Sequence, residues 1–118
     1  MSPRSPLARL DDMLEAVEKI LRYTAGMTSD QLQADAKTLD AVIMNFSVLG
    51  EAASAVPDGI QSRWPDIPWR VITDMRNVIT HQYFKVSPEI LWETIQTQAP
   101  PLAEQLRDLV RTLEGESP

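Results

Sequence analysis

The chain has 118 residues, 43% of them hydrophobic, and a formal net charge of −6 with a pI near 4.6, which suits one domain with a single modest core. It contains no cysteine and one histidine, so disulfide frameworks, thiolate metal sites and thiol nucleophiles are excluded. No apolar run approaches the roughly 18 residues of a membrane span, and "MSPRSPLARLDDM" lacks the continuous apolar centre of a signal peptide; a cytoplasmic protein with no membrane partner is expected.

Leu7, Leu10, Leu14, Val17 and Leu21 recur at steps of three and four, with Met13 and Ile20 beside them, and predict an amphipathic helix over residues 5 to 24. "AGMTSD" ends it: Gly26 can close a helix, and Ser29 or Asp30 can cap a short turn through "QLQAD". A second helix is expected from about 36 to 55. In "TLDAVIMNFSVLGEAASAV" apolar residues occupy more than one face, so this helix should be central, and Gly50, Ala52 and Ala53 would let a neighbour approach closely.

"PDGIQSRWPDIPW" holds three prolines and a glycine and reads as a connector with one short turn around Ile60 to Arg63. Pro68 suits the first turn of a third helix, over about 68 to 81. Ser87, Pro88 and Glu89 read as cap, first-turn proline and early acid, opening a fourth helix with Ile90, Leu91, Trp92 and Ile95. Pro100 and Pro101 must bend or break it, and a fifth segment follows, striped by Leu102, Leu106, Leu109, Val110 and Leu113. With no strand run, the fold class is all-α, a compact bundle of four to five helices with a proline bend near the C-terminus.

Residues 74 to 84, at the end of the third helix and just beyond it, read "DMRNVITHQYF". On a regular helix Val71, Ile72, Met75, Val78 and Ile79 share one side, while Arg70, Asp74, Asn77 and His81 form a polar stripe. Arg76 belongs to neither, because five residues place it about 140° from His81. The two converge on one phosphate only if the helix ends between them or if two copies of the chain face each other. Between residues 63 and 85, Arg63, Arg70, Arg76 and Lys85 against Asp66 and Asp74 leave a local charge of plus two, in a chain whose remainder carries minus eight; an acidic chain does not grip nucleic acid with its whole surface, and an anion should be drawn here.

An ordinary structural reading stands beside this one. A histidine near a helix C-terminus is favoured by the macrodipole, and Arg76 could pair with an acid such as Asp74. One histidine is too few for a typical zinc site, and neither a Gly-rich phosphate loop nor a nucleophile elbow occurs. The chemistry with its parts in place is acid/base work by His81 on a phosphodiester, with Arg76 countering the charge on the phosphoryl oxygens. Arg70 and Lys85 are further candidate contacts to such a phosphodiester. Trp64, Trp69 and Trp92 serve either packing or base stacking, and Glu51 either faces solvent or pairs with an arginine of a dimer.

"IPWRVITDMRNVITHQYFKV", with "VIMNFSVLGEAA" before it and "ILWETIQ" after it, resembles the HepT-like toxins of the HEPN ribonuclease superfamily. Their signature is Arg, four residues, His, one residue, Tyr; Arg76, His81 and Tyr83 match it, and Asn77 matches the Asn that commonly follows the Arg. The likeness runs from the first helix through the Trp92 helix. It departs at Asp74, where relatives often carry a small residue such as Gly.

The resemblance implies an all-α HEPN-like homodimer whose Arg76, Asn77 and His81 line a shared cleft. It further implies a metal-independent RNase toxin of a type VII-like toxin–antitoxin pair, with RNA as substrate and no cofactor. Neutralisation would come from a minimal nucleotidyltransferase antitoxin, MntA-like, that attaches AMP to Tyr83. His81 would move protons at the ribose 2′-OH or the leaving 5′-oxygen, leaving a 2′,3′-cyclic phosphate. The alternative is a non-catalytic helical module that dimerises and binds a nucleotidyltransferase through the same polar stretch.

Overall fold

Ser5 starts the first helix: its hydroxyl accepts from the Ala8 amide at 3.1 Å, and Pro6 occupies the first position, where a missing amide hydrogen costs nothing. The computed structural model describes residues 5–116. The first four residues of the segment that lacks a signal-peptide centre lie outside the described residues. The helices are α1 (Pro6–Thr24), α2 (Ser29–Ala34), α3 (Ala36–Ser54), α4 (Asp58–Gln61), α5 (Trp69–His81), α6 (Pro88–Thr97) and α7 (Ala99–Glu116), with a 3-10 turn at Tyr83–Lys85. Among the described residues there is no strand, so the chain is all-α as expected.

Among the described residues seven helices stand where four to five were anticipated, because α2 and α4, read as single turns, each close enough hydrogen bonds to be helices. The cap of α2 is neither Ser29 nor Asp30 but Thr28, which bonds the Gln31 amide while Gln31 bonds back to the Thr28 amide; this reciprocal box satisfies two orphan donors at once. The short turn of the connector falls at residues 58–61, two residues earlier than expected. Pro100 and Pro101 lie in the first turn of α7, and the interruption they force is confined to Gln98.

α3 packs between α1 and α5; α7 covers another side of α1, and α6 rests on α7 and α2. One core cluster joins them. Leu10, Met13 and Ile20 of α1, Val42 of α3 and Leu106 and Leu109 of α7 are wholly buried, each such side chain stabilising by about 1.5–3 kcal/mol relative to exposure. Along α1 the burial is centred on Leu10, Met13, Val17 and Ile20, with Leu7, Leu14 and Leu21 at its margin. The neighbouring row of the helix is thus the one that faces inward, because α1 is clasped by α3 and α7 together.

The crossing of α3 and α5 places the site. A Cβ added at Gly50 would lie 2.3 Å from the Arg76 Cβ and 2.9 Å from the Ile72 carbonyl oxygen, so only glycine permits this approach. Ala52 and Ala53 continue the small, buried strip.

Candidate active site

α5 runs without interruption from Trp69 to His81, so Arg76, Asn77 and His81 share one helix and the helix does not end between Arg76 and His81. Their side chains therefore leave in the directions that the helical period dictates. Arg76 turns toward α3, where its Nη1 donates to Glu51 Oε2 at 2.7 Å. It lines a groove of about 300 Å³ with Arg9, Ser47, Val48, Glu51 and Thr80, a set without His81. Among the described residues the Arg76 Nε is buried without a hydrogen-bond partner, while the rest of its head remains partly open beside the largely exposed Glu51 carboxylate. His81 is exposed and makes no side-chain hydrogen bond among the described residues.

Glu51 thus pairs with an arginine, but with Arg76 of its own chain. Asp74 is not the partner of Arg76: it lies on the stripe of Arg70, Asn77 and His81, more than a third of a turn away, and all four are exposed.

Tyr83 follows α5 as the first residue of the 3-10 turn. Its hydroxyl donates to Asp40 Oδ1 of α3 at 3.2 Å, and its ring meets Phe84 edge to face, centroids 5.6 Å apart. The carboxylate accepts the phenolic hydrogen and repels a phenolate, so the Tyr83 pKa is raised above the usual tyrosine value. Asp40 and Glu51 are eleven residues apart, which returns them to within about 20° on one face of α3. That face holds two motif residues of the antiparallel α5 segment, Arg76 by Glu51 and Tyr83 by Asp40.

The positive balance of residues 63–85 is largely cancelled in space. Glu116 of α7 grips Arg63 through two bonds, of 3.1 and 2.6 Å, which raises the arginine pKa and lowers that of the glutamate. Among the described residues Arg70 and Lys85 make no ion pair. Trp69 is buried and donates to the Trp64 carbonyl at 3.0 Å, Arg63 stacks on Trp64 at 4.7 Å, and Trp92 packs against the core; these are packing roles.

Of the apolar side of α5, only Ile72 and Ile79 are buried, with Met75 partly so. Val71 and Val78 are 56% and 45% exposed and Ile90 of α6 is 63% exposed. All three line one shallow groove with Lys85, directly beside the stripe that carries His81. Among the described residues no group of three or more His, Cys, Asp or Glu is placed to hold a metal ion, and no helix is long and apolar enough to cross a membrane.

The family model described as Ribonuclease HepT-like matches residues 13–109. The chain belongs to the HepT-like ribonuclease family. A protein of Methanocaldococcus jannaschii provisionally named an RNase is 31% identical over 116 residues, spanning 98% of this chain and 96% of the relative. A "Probable ribonuclease HepT" of Thermococcus cleftensis is 34% identical over 106 residues, 90% of this chain and 96% of the relative. No solved structure gives a significant match. Within this HepT-like chain, Asp40 is the contact that sequence reasoning missed. Its signal was the eleven-residue spacing to Glu51, which puts both acids on one face of a helix read as central.

Proposed function

We propose that the chain is a metal-independent endoribonuclease toxin of a type VII-like toxin–antitoxin pair, acting in the cytoplasm as a homodimer of single HEPN-like domains spanning residues 1–118. The observation that carries this reading is the arrangement on α5. Arg76 and His81 leave opposite edges of one unbroken helix, so a single chain does not bring them to one phosphate. Between them lies the edge of Thr73, Asn77 and Thr80, which is not buried, and Val48 of α3, 41% exposed, lines the Arg76 groove beside Thr80 and supplies apolar surface for a second copy. A twofold axis there would turn the Arg76 edge of one α5 toward the His81 stripe of its mate.

In that cleft Arg76 counters charge developing on the phosphoryl oxygens, His81 exchanges a proton with the 2′-OH or the leaving 5′-oxygen, and Asn77 orients one of them. Arg70 and Lys85, which make no ion pair among the described residues, contact the RNA backbone at the rim. RNA is required because DNA lacks the attacking hydroxyl. Neutralisation comes from a cognate minimal nucleotidyltransferase, MntA-like, that transfers AMP to Tyr83. The added phosphodiester and nucleoside oppose an RNA phosphate by repulsion and by occlusion.

The test is cleavage of single-stranded RNA in EDTA by wild type, Arg76→Ala and His81→Ala. Wild type leaves 2′,3′-cyclic phosphate ends and spares a 2′-deoxy substrate; both variants lose the activity. Equal cleavage by all three would trace the activity to a contaminant and end the reading. The Glu51 carboxylate, which already neutralises Arg76, favours the second reading of a binding module. A dimer that holds the nucleotidyltransferase and never cuts RNA would establish that module instead.

A further inference from the structure

Two acids of α3 lie near its N-terminus and have different employments. Asp35 is consumed by capping: it accepts from both the amide and the hydroxyl of Thr38, at 3.1 and 2.8 Å. Asp40, one and a half turns on, is exposed and makes one hydrogen bond among the described residues, the one it receives from the Tyr83 hydroxyl. Among the described residues Lys37 on α3 and His81 and Lys85 beside Tyr83 form no hydrogen bond or ion pair with Asp40 or Tyr83, and Glu51 and Arg76 are paired with each other. Tyr83 itself is 44% exposed just beyond the end of α5, with its hydroxyl hydrogen directed to a carboxylate.

We propose that Asp40 is the catalytic base for adenylylation of Tyr83, an inference that rests on the modification proposed above. The co-reactant is a nucleoside triphosphate held by the partner nucleotidyltransferase. A bond forms from Tyr83 Oη to the α-phosphorus, the bond from that phosphorus to the pyrophosphate oxygen breaks, and pyrophosphate leaves with its electron pair. The phenolic proton passes to Asp40 Oδ1 and from there to water.

The arrangement suits this step for two reasons. Next to a carboxylate the phenol keeps its proton, so no phenolate waits in the resting state and the proton must depart during attack. In phosphoryl transfer through a loose transition state little nucleophilic push is needed, and a carboxylate that orients the hydroxyl and accepts its proton suffices, as the catalytic-loop aspartate does for the substrate hydroxyl in protein kinases. α3 thereby prepares the toxin's own target residue, and the partner supplies the nucleotide.

The experiment measures the rate at which AMP from ATP is attached to the Tyr83 peptide by the cognate nucleotidyltransferase, in wild type, Asp40→Asn, Asp40→Glu and Tyr83→Phe. Asp40→Asn keeps a hydrogen-bond acceptor of the same shape and loses the base. Its labelling is expected to fall by about 10²- to 10⁴-fold at neutral pH, while partner affinity by calorimetry and the helical circular dichroism stay as in wild type. The residual rate should climb roughly tenfold per pH unit as phenolate forms, against a flat wild-type profile, and Asp40→Glu should restore a flat profile. A merely structural Asp40 would move the affinity and leave the profile shapes alike. Should Asp40→Asn fail to fold, Asp40→Ala with added formate supplies the same readout, and absence of formate rescue counts against the base. Labelling of Asp40→Asn at the wild-type rate overturns the role of Asp40 and leaves the modification standing. Wild type that takes no AMP on Tyr83 overturns the modification and the base together.

Discussion

Arg76 and Glu51 are joined across a crossing of two helices that has no room for a side chain at Gly50: Nη1 lies 2.7 Å from Oε2, and the Arg76 Cβ occupies the space a Gly50 Cβ would need. A pair this exposed contributes at most about 1 kcal/mol to stability, so its consequence is positional and electrostatic. Glu51 aims the guanidinium and also competes with a phosphate for it. In Glu51→Gln the acceptor remains and the charge goes. We expect the KM for RNA to fall while kcat changes little, because the amide oxygen still receives the bond that orients the head. The dependence of log KM on log salt should steepen by about 0.7, the counterion contribution of one further cation on single-stranded RNA. A salt slope equal to that of wild type would show that Glu51 does not screen Arg76.

The catalytic assignments differ in size. Loss of His81 should cost about 10²- to 10⁴-fold in kcat, the range of a general acid or base. Arg76→Ala should cost about 10²- to 10³-fold, the range of one charge-stabilising donor; single-turnover cleavage in EDTA reads both.

A shared cleft makes a prediction that a single-chain site does not. Val48→Glu places a charge on the exposed apolar residue beside the Arg76 groove and should convert a particle of about twice 13.3 kDa to one of 13.3 kDa by light scattering, with loss of cleavage. Mixing Arg76→Ala with His81→Ala should restore about a quarter of wild-type activity. Half of the dimers are then mixed, and each has one intact Arg76 and His81 pair. Failure to recover any activity from a demonstrated mixed dimer would count against a composite site.

Gly50→Ala should destabilise the fold by about 1–3 kcal/mol, the range for an overpacked contact. The clash involves a Cβ and a backbone carbonyl, neither of which a rotamer can withdraw. α5 must shift bodily, and RNA cleavage should fall together with the thermal midpoint. Gly59→Ala, where an added Cβ meets nothing within 4 Å, is the control.

The chain has two tyrosines, so in Tyr23→Phe an ultraviolet titration follows Tyr83 alone. Because Asp40 raises its pKa, the ionisation midpoint should lie above the usual tyrosine value, and Asp40→Asn should bring it back down. The sign for stability follows. The folded state holds this proton more tightly than the unfolded chain, so the contribution is complete below the ordinary tyrosine pKa and is lost as pH rises through the folded value. Denaturation midpoints should therefore fall with pH in that alkaline window, and less so in Asp40→Asn.

Helix boundaries were legible in the chain because their determinants are local. Ser5 with Pro6, Ser87 with Pro88 and the apolar steps of α3 and α5 act over three or four residues, and the expected bounds of α1, α3, α5 and the start of α6 lie within a residue or so of those observed. The motif Arg76, Asn77, His81 and Tyr83 was equally visible, as was the angular offset of Arg76 from His81, since both depend only on residue order and helical period. What the motif residues touch was decided by the tertiary structure. Glu51 lies 25 residues from Arg76, Asp40 lies 43 from Tyr83 and Glu116 lies 53 from Arg63, and no periodicity specifies which helices cross or where. The same holds for Val71 and Val78: the helical period puts them on the apolar side of α5, yet α3 covers only the edge around Ile72 and Ile79. A helix period states which side chains share a direction, and only the packing of neighbouring helices determines how much of that direction is filled.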